Sequence, residues 1–260
     1  MVSRMRGFTG AYDEFGIDVQ MQRVTAAPTV LGSGHPLFKA GATRQQFRVF
    51  GENLPARLQA ADVNCGPGVT VDQVVNATPD QAVLSVSIAG DAAPGRRAVL
   101  IAGVAGTANL AVYSTIDSIK VVPEAGLARV GGVNVPKQYQ QFEAIAYANG
   151  PDGLTGTKDD IELGPVDAAW TLEEYTATYH DDDRNFVGTI EETTGLFTPN
   201  LDGPNPQRRN GTDNFGDVWV VATMKEAPGA ANRPRALKAR AHLLVTVPIY
   251  LRWYGPEVAK

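Results

Sequence analysis

The stretch from Asp160 to Met224 reads DIELGPVDAAWTLEEYTATYHDDDRNFVGTIEETTGLFTPNLDGPNPQRRNGTDNFGDVWVVATM, and it holds two of the three tryptophans of the chain. Two of its segments alternate apolar and polar residues, which is typical of strands with one buried face. The apolar positions of these segments are Val166, Ala168, Trp170 and Leu172, and then Val218, Val220 and Ala222. Because one buried aromatic ring removes a large apolar area from water, Trp170 is predicted to lie in the centre of a sheet core.

Similar alternation extends in both directions from this stretch. Upstream, TRQQFRVFGENL (43–54) places Phe47 and Val49 on one face. The later strand patterns place further apolar residues on single faces: Ala82, Leu84, Val86 and Ile88, and then Leu237, Ala239, Ala241, Leu243, Val245 and Val247. Short strands at spacings of roughly 8–12 residues, separated by turns rich in glycine and proline, are typical of β-sandwiches. The sequence therefore predicts an all-β chain with two tandem immunoglobulin-like β-sandwich domains.

The length of 260 residues favours two domains, since a domain typically takes about 100–150 residues. We place the first immunoglobulin-like domain at 24–117 and the second at 118–260. The short segment before them, residues 1–23, predicts one strand by its alternating apolar positions Ile17, Val19 and Met21. Because a lone strand is not stable in water, this segment is interpreted as a remnant strand of a preceding β domain.

Composition excludes several classes of function. The net charge of -5 gives no basic patch of the kind that binds nucleic acid, and no apolar run is long enough to span a membrane. The start of the chain, MVSRMRGFTG, has no apolar region behind its positive charges, so it is not predicted to be a signal peptide. The single cysteine, Cys65, cannot form a CxxCH haem-attachment site or a CxxC redox pair, and it is interpreted as a small, partly buried residue in the NCGPG turn.

The three histidines do not predict a metal site. His35, His180 and His242 are far apart in the sequence, whereas zinc sites usually show at least two ligands at short spacing. His242 falls on the polar face of the last strand pattern, where it is predicted to be solvated.

A glycine-rich acidic loop offers a second kind of metal site. Within NGPDGLTGTKDD (149–160), the oxygen-bearing side chains are Asn149, Asp152, Asp159 and Asp160. Oxygen ligands on such a loop suit calcium, but the spacing of an EF-hand is absent. The alternative is the tip of a β-hairpin that is stabilised by Asx turns, and both interpretations stay open.

Two further polar runs are candidates for chemistry or contact. His180 is followed by Asp181, Asp182, Asp183 and Arg184, and paired carboxylates could serve acid–base hydrolysis. Consecutive strand residues point to opposite faces, so we interpret this run as a solvated turn. Arg208 and Arg209 lie in the long loop PNPQRRNGTDN, where we predict an interface contact. No residue is predicted to be catalytic, to bind a cofactor or to bind a metal.

Several ungapped blocks resemble a known family. These blocks are GPVDAAWTLEEY (164–175), DDDRNFVGTI (181–190), GLFTPNLDGPNP (195–206) and GDVWVVAT (216–223). They resemble, in the same order, the C-terminal region of the α subunit of quinohemoprotein amine dehydrogenase. The resemblance covers most of the chain and is strongest over 115–250.

The resemblance implies a function for the whole complex rather than for any residue of this chain. Members of that family oxidise primary amines in the periplasm of Gram-negative bacteria. Their α subunit carries a di-haem cytochrome c domain followed by three β domains, a β-propeller forms the β subunit, and a small γ subunit carries a cysteine tryptophylquinone.

For this chain, the resemblance implies the last two immunoglobulin-like domains of such an α subunit, with haem c and the quinone on other parts of the complex. The expected role is a non-catalytic, periplasmic scaffold that contacts the β-propeller and quinone-bearing subunits. The alternatives are a stand-alone immunoglobulin-like binding or adhesion module and a hydrolase that uses the acidic loops.

Overall fold

The computed structural model describes most of the chain in six ranges: 2–9, 13–20, 27–132, 135–176, 181–227 and 235–248. Within these ranges, twenty β-strands form six sheets, and one α-helix, α1 (Asp183–Phe186), has four residues. No helix in this part of the chain has the length and apolar character needed to cross a membrane. Pairing between strands therefore sets the architecture.

The N-terminal segment is a hairpin of two strands, β1 (Val2–Thr9) and β2 (Asp13–Gln20). They pair antiparallel, and they pair with no other strand in the part of the chain that the structure describes. The sequence predicted only the second strand, because the segment VSRMRGFT has no alternation of period two. Met21, at the end of the predicted strand, lies outside the described residues, and the assignment of this segment to a preceding domain stays a prediction.

The first sandwich has eight strands: β3 (Thr29–Gly32), β4 (Leu37–Lys39), β5 (Gln45–Glu52), β6 (Val63–Asn64), β7 (Val69–Ala77), β8 (Gln81–Ile88), β9 (Gly95–Ile101) and β10 (Val104–Tyr113). One sheet has the order β3-β5-β8-β7 and the other has the order β4-β10-β9-β6. The short strand β4 pairs parallel with β10, and the other pairs are antiparallel.

The core of this sandwich is apolar and follows the predicted faces. Phe47 and Val49 on β5 are buried, and so are all four of the predicted residues on β8: Ala82, Leu84, Val86 and Ile88. The rings of Phe38 and Phe47 meet edge to face at 5.7 Å between centroids. Gly106 lets β10 approach β3 closely, because a Cβ there would overlap the carbonyl of Val30.

The second sandwich has ten strands: β11 (Ser118–Val122), β12 (Ala125–Arg129), β13 (Gln140–Gln141), β14 (Glu143–Ala148), β15 (Ile161–Val166), β16 (Ala169–Glu174), β17 (Gly188–Ile190), β18 (Leu196–Pro199), β19 (Gly216–Ala227) and β20 (Arg235–Thr246). Its main sheet has the order β12-β20-β19-β16, with β12 parallel to β20. The facing strands form two smaller sheets, β11-β14-β15 and β13-β18-β17.

The second core is built around aromatic rings. Trp170 is buried, as predicted, together with Phe142 and Phe197. Gly195 has a φ of 72° and lies against the Trp170 indole, where a Cβ would collide with the ring. The inward face of β19 is also confirmed, whereas Val247 is exposed because β20 ends at Thr246.

The two sandwiches contact each other directly. Leu37, Ala111 and Tyr113 of the first sandwich pack against the core of the second. Across the same junction, Arg96 and Glu162 form an ion pair with 3.1 Å between Nη1 and Oε1. The prediction of an all-β chain with two tandem immunoglobulin-like sandwiches is confirmed.

Candidate functional site

Arg208 occupies the centre of a buried polar cluster, which we call the Arg208 clasp and define as Asp182, Asp183, Arg208 and the backbone of Asp213 and Phe215. The guanidinium donates to the carboxylates of Asp182 and Asp183. It also donates to the carbonyls of Asp213 and Phe215, at 2.6 and 2.8 Å. These bonds tie the loop before α1 to the long loop that leads into β19.

The clasp places its charges in different environments. Burial raises the pKa of the Asp183 carboxyl, although the Asp217 N–H and Arg208 both donate to it. For Asp182, burial acts in the same direction, but the Arg209 N–H and the Arg208 guanidinium outweigh it and lower the pKa. The two carboxylates therefore bind the same arginine, although the pKa of Asp183 is raised and the pKa of Asp182 is lowered.

The prediction of a solvated turn for the acidic run is wrong for Asp183. This side chain is buried at 7% exposure and lies at the start of α1. Asp181 and Asp182 are half-buried, and Arg184 is exposed. Strand geometry does not apply here, because the chain turns into α1 and the Asp183 side chain points inward. His180, which precedes the run, lies outside the described residues.

The prediction of an interface contact is likewise wrong for Arg208. Its side chain is only 6% exposed and makes internal bonds. Arg209 is exposed, and its backbone N–H donates to Asp182. The two neighbours differ because a short 3-10 turn, Arg209–Gly211, begins directly after Arg208.

Three carboxylates lie together beside the clasp. Oxygen atoms of Asp181, Asp183 and Asp217 are all within 4.8 Å of one another. Asp217 is also 3.0 Å from Nε2 of His242, and the Asp183 carboxylate accepts from Arg208. The cluster therefore already has two cationic or proton-donating neighbours from the chain itself.

The strand pattern predicted a solvated His242, and its side chain is half-buried, with 32% exposed. His242 is opposite Trp219 on the outer face of the main sheet. The centroids of the Tyr175 and His242 rings are 4.4 Å apart. Tyr175 and Trp219 are themselves 4.8 Å apart, and the guanidinium of Arg240 lies 4.2 Å from the Trp219 ring centroid. Cross-strand packing of this kind half-buries an outward-facing residue. The sequence signal was the pairing of two adjacent strands, each with an outward ring.

The remaining histidine gives no support to a shared metal site. His35 is exposed in a loop of the first sandwich, at a φ of 54°, whereas His242 is in the second sandwich. The structure therefore does not bring these two side chains together.

The loop 149–160 forms the tip of the β14–β15 hairpin. The Oδ1 of Asp152 accepts from the Leu154 N–H at 2.8 Å, which is an Asx turn. The Oδ2 of Asp160 accepts from the Gly156 N–H, and the Oδ1 of Asn149 accepts from the Thr155 hydroxyl. Hydrogen bonds from Thr157 and from the Asp152 N–H lower the pKa of Asp159. The Asx turns of the hairpin-tip interpretation are confirmed, and the calcium interpretation stays a hypothesis.

Cys65 is more deeply buried than predicted. It is 1% exposed within the first core, and burial raises the pKa of its thiol to about 12. Covalent haem attachment needs accessible thiols in a CxxCH sequence. The residues of this chain therefore do not fit c-type haem.

Comparison with known proteins identifies two family matches. The family described as quinohemoprotein amine dehydrogenase, alpha subunit domain III, matches residues 27–114, and the family of alpha subunit domain IV matches residues 119–258. A comparison with the curated proteins gives no match.

Several solved structures show some likeness to this chain. Human protocadherin-24 EC1-2 is 13% identical, with 85% of this chain and 98% of that chain covered and a TM-score of 0.30. A tandem of titin immunoglobulin domains is 11% identical, with 85% and 100% covered and a TM-score of 0.26. The Escherichia coli adhesin FdeC is 13% identical, with 92% and 74% covered and a TM-score of 0.27.

Proposed function

The chain belongs to the quinohemoprotein amine dehydrogenase α-subunit family, and we propose that its two sandwiches are a non-catalytic scaffold of such a complex. The observation that carries this proposal is the pair of consecutive family matches, to domains III and IV, over 27–114 and 119–258. In that role the chain binds and positions the other parts of an enzyme that oxidises primary amines in the periplasm.

The chemistry of the buried groups supports a structural role. The Arg208 clasp uses its charges on its own loops: the guanidinium has two carboxylate and two carbonyl partners. The buried thiol of Cys65, with its pKa raised to about 12, is a poor nucleophile because the thiolate is the reactive form. The cofactors that oxidise the amine, haem c and cysteine tryptophylquinone, are expected on other parts of the complex.

The expected partners are the β-propeller subunit and the small quinone-bearing subunit. A rigid support suits this task, and direct packing of Leu37, Ala111 and Tyr113 on the second core couples the two sandwiches. Long loops and exposed sheet faces of the second sandwich then offer surfaces for contact.

The test is capture of the protein from its own host with an antibody against this chain, followed by intact mass, subunit identification and a visible spectrum. We expect a propeller subunit and a quinone-bearing subunit in fixed ratio, together with a haem Soret band. Non-immune antibody is the control. Recovery of the chain without these subunits would contradict the proposal and would favour the stand-alone binding or adhesion module.

A further inference from the structure

The outer face of the main sheet of the second sandwich carries a strip of large side chains that are exposed or half-buried. We call it the Trp219 face and define it as Leu127, Tyr175, Trp219, Arg240, His242 and Leu244. Leu127, Tyr175 and Leu244 are 37%, 41% and 42% exposed. The strip crosses β12, β20 and β19, because Leu127 is opposite Leu244 and Trp219 is opposite His242, and it ends at Tyr175, directly after β16. Trp, Tyr and Arg are the residue types that dominate interface hot spots.

Two cations, Arg240 on this face and Lys238 beside it, have no carboxylate partner in the described part of the chain. Arg240 and Lys238 are both exposed, and they lie two residues apart on β20, about 7 Å along the strand. In these residues Arg240 instead contacts the Trp219 ring, with 4.2 Å between the guanidinium carbon and the ring centroid, which is a cation–π contact. Glu173 lines the same hollow of about 220 Å³ without pairing with either cation.

Unlike Arg240, two other arginines of the chain have carboxylate partners. Arg208 binds two carboxylates inside the clasp, and Arg96 pairs with Glu162 at the junction. Arg240 instead presents its donors to solvent beside apolar surface. A guanidinium that is already oriented by stacking loses less conformational entropy when it binds a carboxylate.

We propose that the Trp219 face binds an acidic segment of a partner subunit. Carboxylates of that segment meet Arg240 and Lys238, and its apolar side chains lie on Leu127, Tyr175 and Leu244. The proposal rests on the proposed function, and it adds the surface and the chemistry of the partner. It assigns the interface to the face that includes β20, whereas the sequence predicted an interface contact in the loop of Arg208 and Arg209.

Charge argues against a second copy of this chain as the occupant. A two-fold interface brings the same patch of both copies together, so the Arg240 and Lys238 region of one copy would approach the equally cationic region of the other. Like charges placed opposite each other across an interface are unfavourable. An acidic partner removes that cost and gains charge-assisted hydrogen bonds.

Docking on the face is favoured over addition of a strand at the neighbouring edge. The free edge of β12 is covered by side chains: Gln138 Nε2 donates to the Leu127 carbonyl at 3.2 Å, and the Leu127 N–H donates to Gln140 at 3.4 Å. Covered edges of this kind prevent pairing with another chain.

The first test reverses the charges in the assembled complex. We expect Lys238→Glu/Arg240→Glu to reduce recovery of partner subunits about tenfold or more, as for loss of an interface hot spot. The matched control, Arg48→Glu/Arg57→Glu, reverses two exposed arginines of the first sandwich and should leave recovery unchanged. Equal recovery with both variants would overturn the inference and leave the proposed function standing, whereas failure of the wild-type chain to recover partners would count against the proposed function.

The second test probes the face directly and does not depend on the complex. The probe is a short synthetic peptide that alternates glutamate and leucine, and its control replaces each glutamate with glutamine. We expect the glutamate peptide alone to shift the NMR signals of the Trp219 indole and Arg240, more weakly at high salt. Equal shifts with both peptides, shifts elsewhere on the chain, or self-association that Arg240→Glu abolishes would each overturn the inference.

Discussion

The two sandwiches have related architectures but are stabilised by different groups. The first core holds no charged residue among its buried side chains, and its largest rings are Phe38 and Phe47. The second core adds Trp170, and it is flanked by a long loop region whose buried Asp183 and Arg208 form an ion pair. An apolar core is sufficient for the first sandwich, whereas the second also needs polar groups to fix its loops.

The additional polar groups of the second sandwich lie in one long segment between β16 and β19. The segment from Tyr175 to Phe215 holds the clasp, α1 and two short strands. Its N-terminal end contributes Tyr175 to the Trp219 face, next to Asp217 and His242. The elaborated loops therefore support the surface that we propose as the interface.

The largest expected effect is at the aromatic core of the second sandwich. We expect Trp170→Ala to lower the free energy of unfolding by about 3–5 kcal/mol, because it leaves a cavity that a large ring filled. Urea unfolding measured by circular dichroism gives the loss, and Thr171→Ala, on the exposed neighbour, is the control. An unchanged unfolding curve would show that Trp170 does not support the core.

The same variant tests whether the sandwiches unfold separately. Cys65 is buried in the first sandwich, so its alkylation by iodoacetamide reports opening of that core only. We expect the alkylation rate to stay slow in Trp170→Ala. Faster alkylation would mean that the junction makes the two cores one cooperative unit. The two sandwiches would then not be stabilised separately.

A large effect is also expected at the Arg208 clasp. Arg208→Ala leaves Asp183 buried without its cation, and loss of one partner of a buried pair costs about 3–5 kcal/mol. Thermal unfolding measures the change. The control Arg184→Ala, on an exposed arginine of α1, should stay within about 0.5 kcal/mol of the wild type. Similar melting temperatures for both variants would show that the Arg208 clasp does not stabilise the second sandwich.

A smaller effect is expected at the junction of the sandwiches. Arg96 and Glu162 are 40% and 49% exposed, and exposed ion pairs typically contribute about 0.2–1 kcal/mol. A double-mutant cycle with Arg96→Ala and Glu162→Ala gives the coupling energy, which should vanish at about 1 M salt because of screening. A coupling energy that salt leaves unchanged would mean that Arg96 and Glu162 interact by something other than a screened ion pair.

The smallest effect concerns the turn between β17 and β18. Hydrogen bonds from Thr193 and Thr194 lower the pKa of Glu191 to about 2, from an ordinary value of 4.5. A lowered pKa adds stability above pH 4.5, and this contribution is lost as the pH falls from 4.5 towards 2. An NMR titration of Glu191 checks the value, and Glu191→Gln should remove this part of the acid dependence. A titration midpoint near 4.5 would contradict it.

The buried faces of the strands could be predicted from the sequence because alternation records burial directly. Val49, Leu84, Trp170 and Val220 are all buried at the positions that the period of two indicates. The polar cluster could not be predicted this way. Asp183 and Arg208 are 25 residues apart, one at the start of the four-residue helix α1 and the other in a loop, so no periodic pattern relates the two side chains.

The outward residues show the same limit. The pattern placed His242 on the correct face, but its burial depends on Trp219 in the neighbouring strand and on Tyr175 beyond the end of β16. Alternation specifies the face of a residue and leaves its lateral neighbours open. These lateral contacts make the Trp219 face, so the candidate surface emerged only from strand order and register.

The packing of Leu37, Ala111 and Tyr113 against the second core has a consequence for synthesis on the ribosome. The first sandwich emerges first and can close its own core, since its strands are complete by Tyr113. Until the rest of the chain has been translated, these three side chains face water. The second sandwich then folds against an apolar surface that the first sandwich has already formed. The two sandwiches therefore assemble in the order in which they are translated.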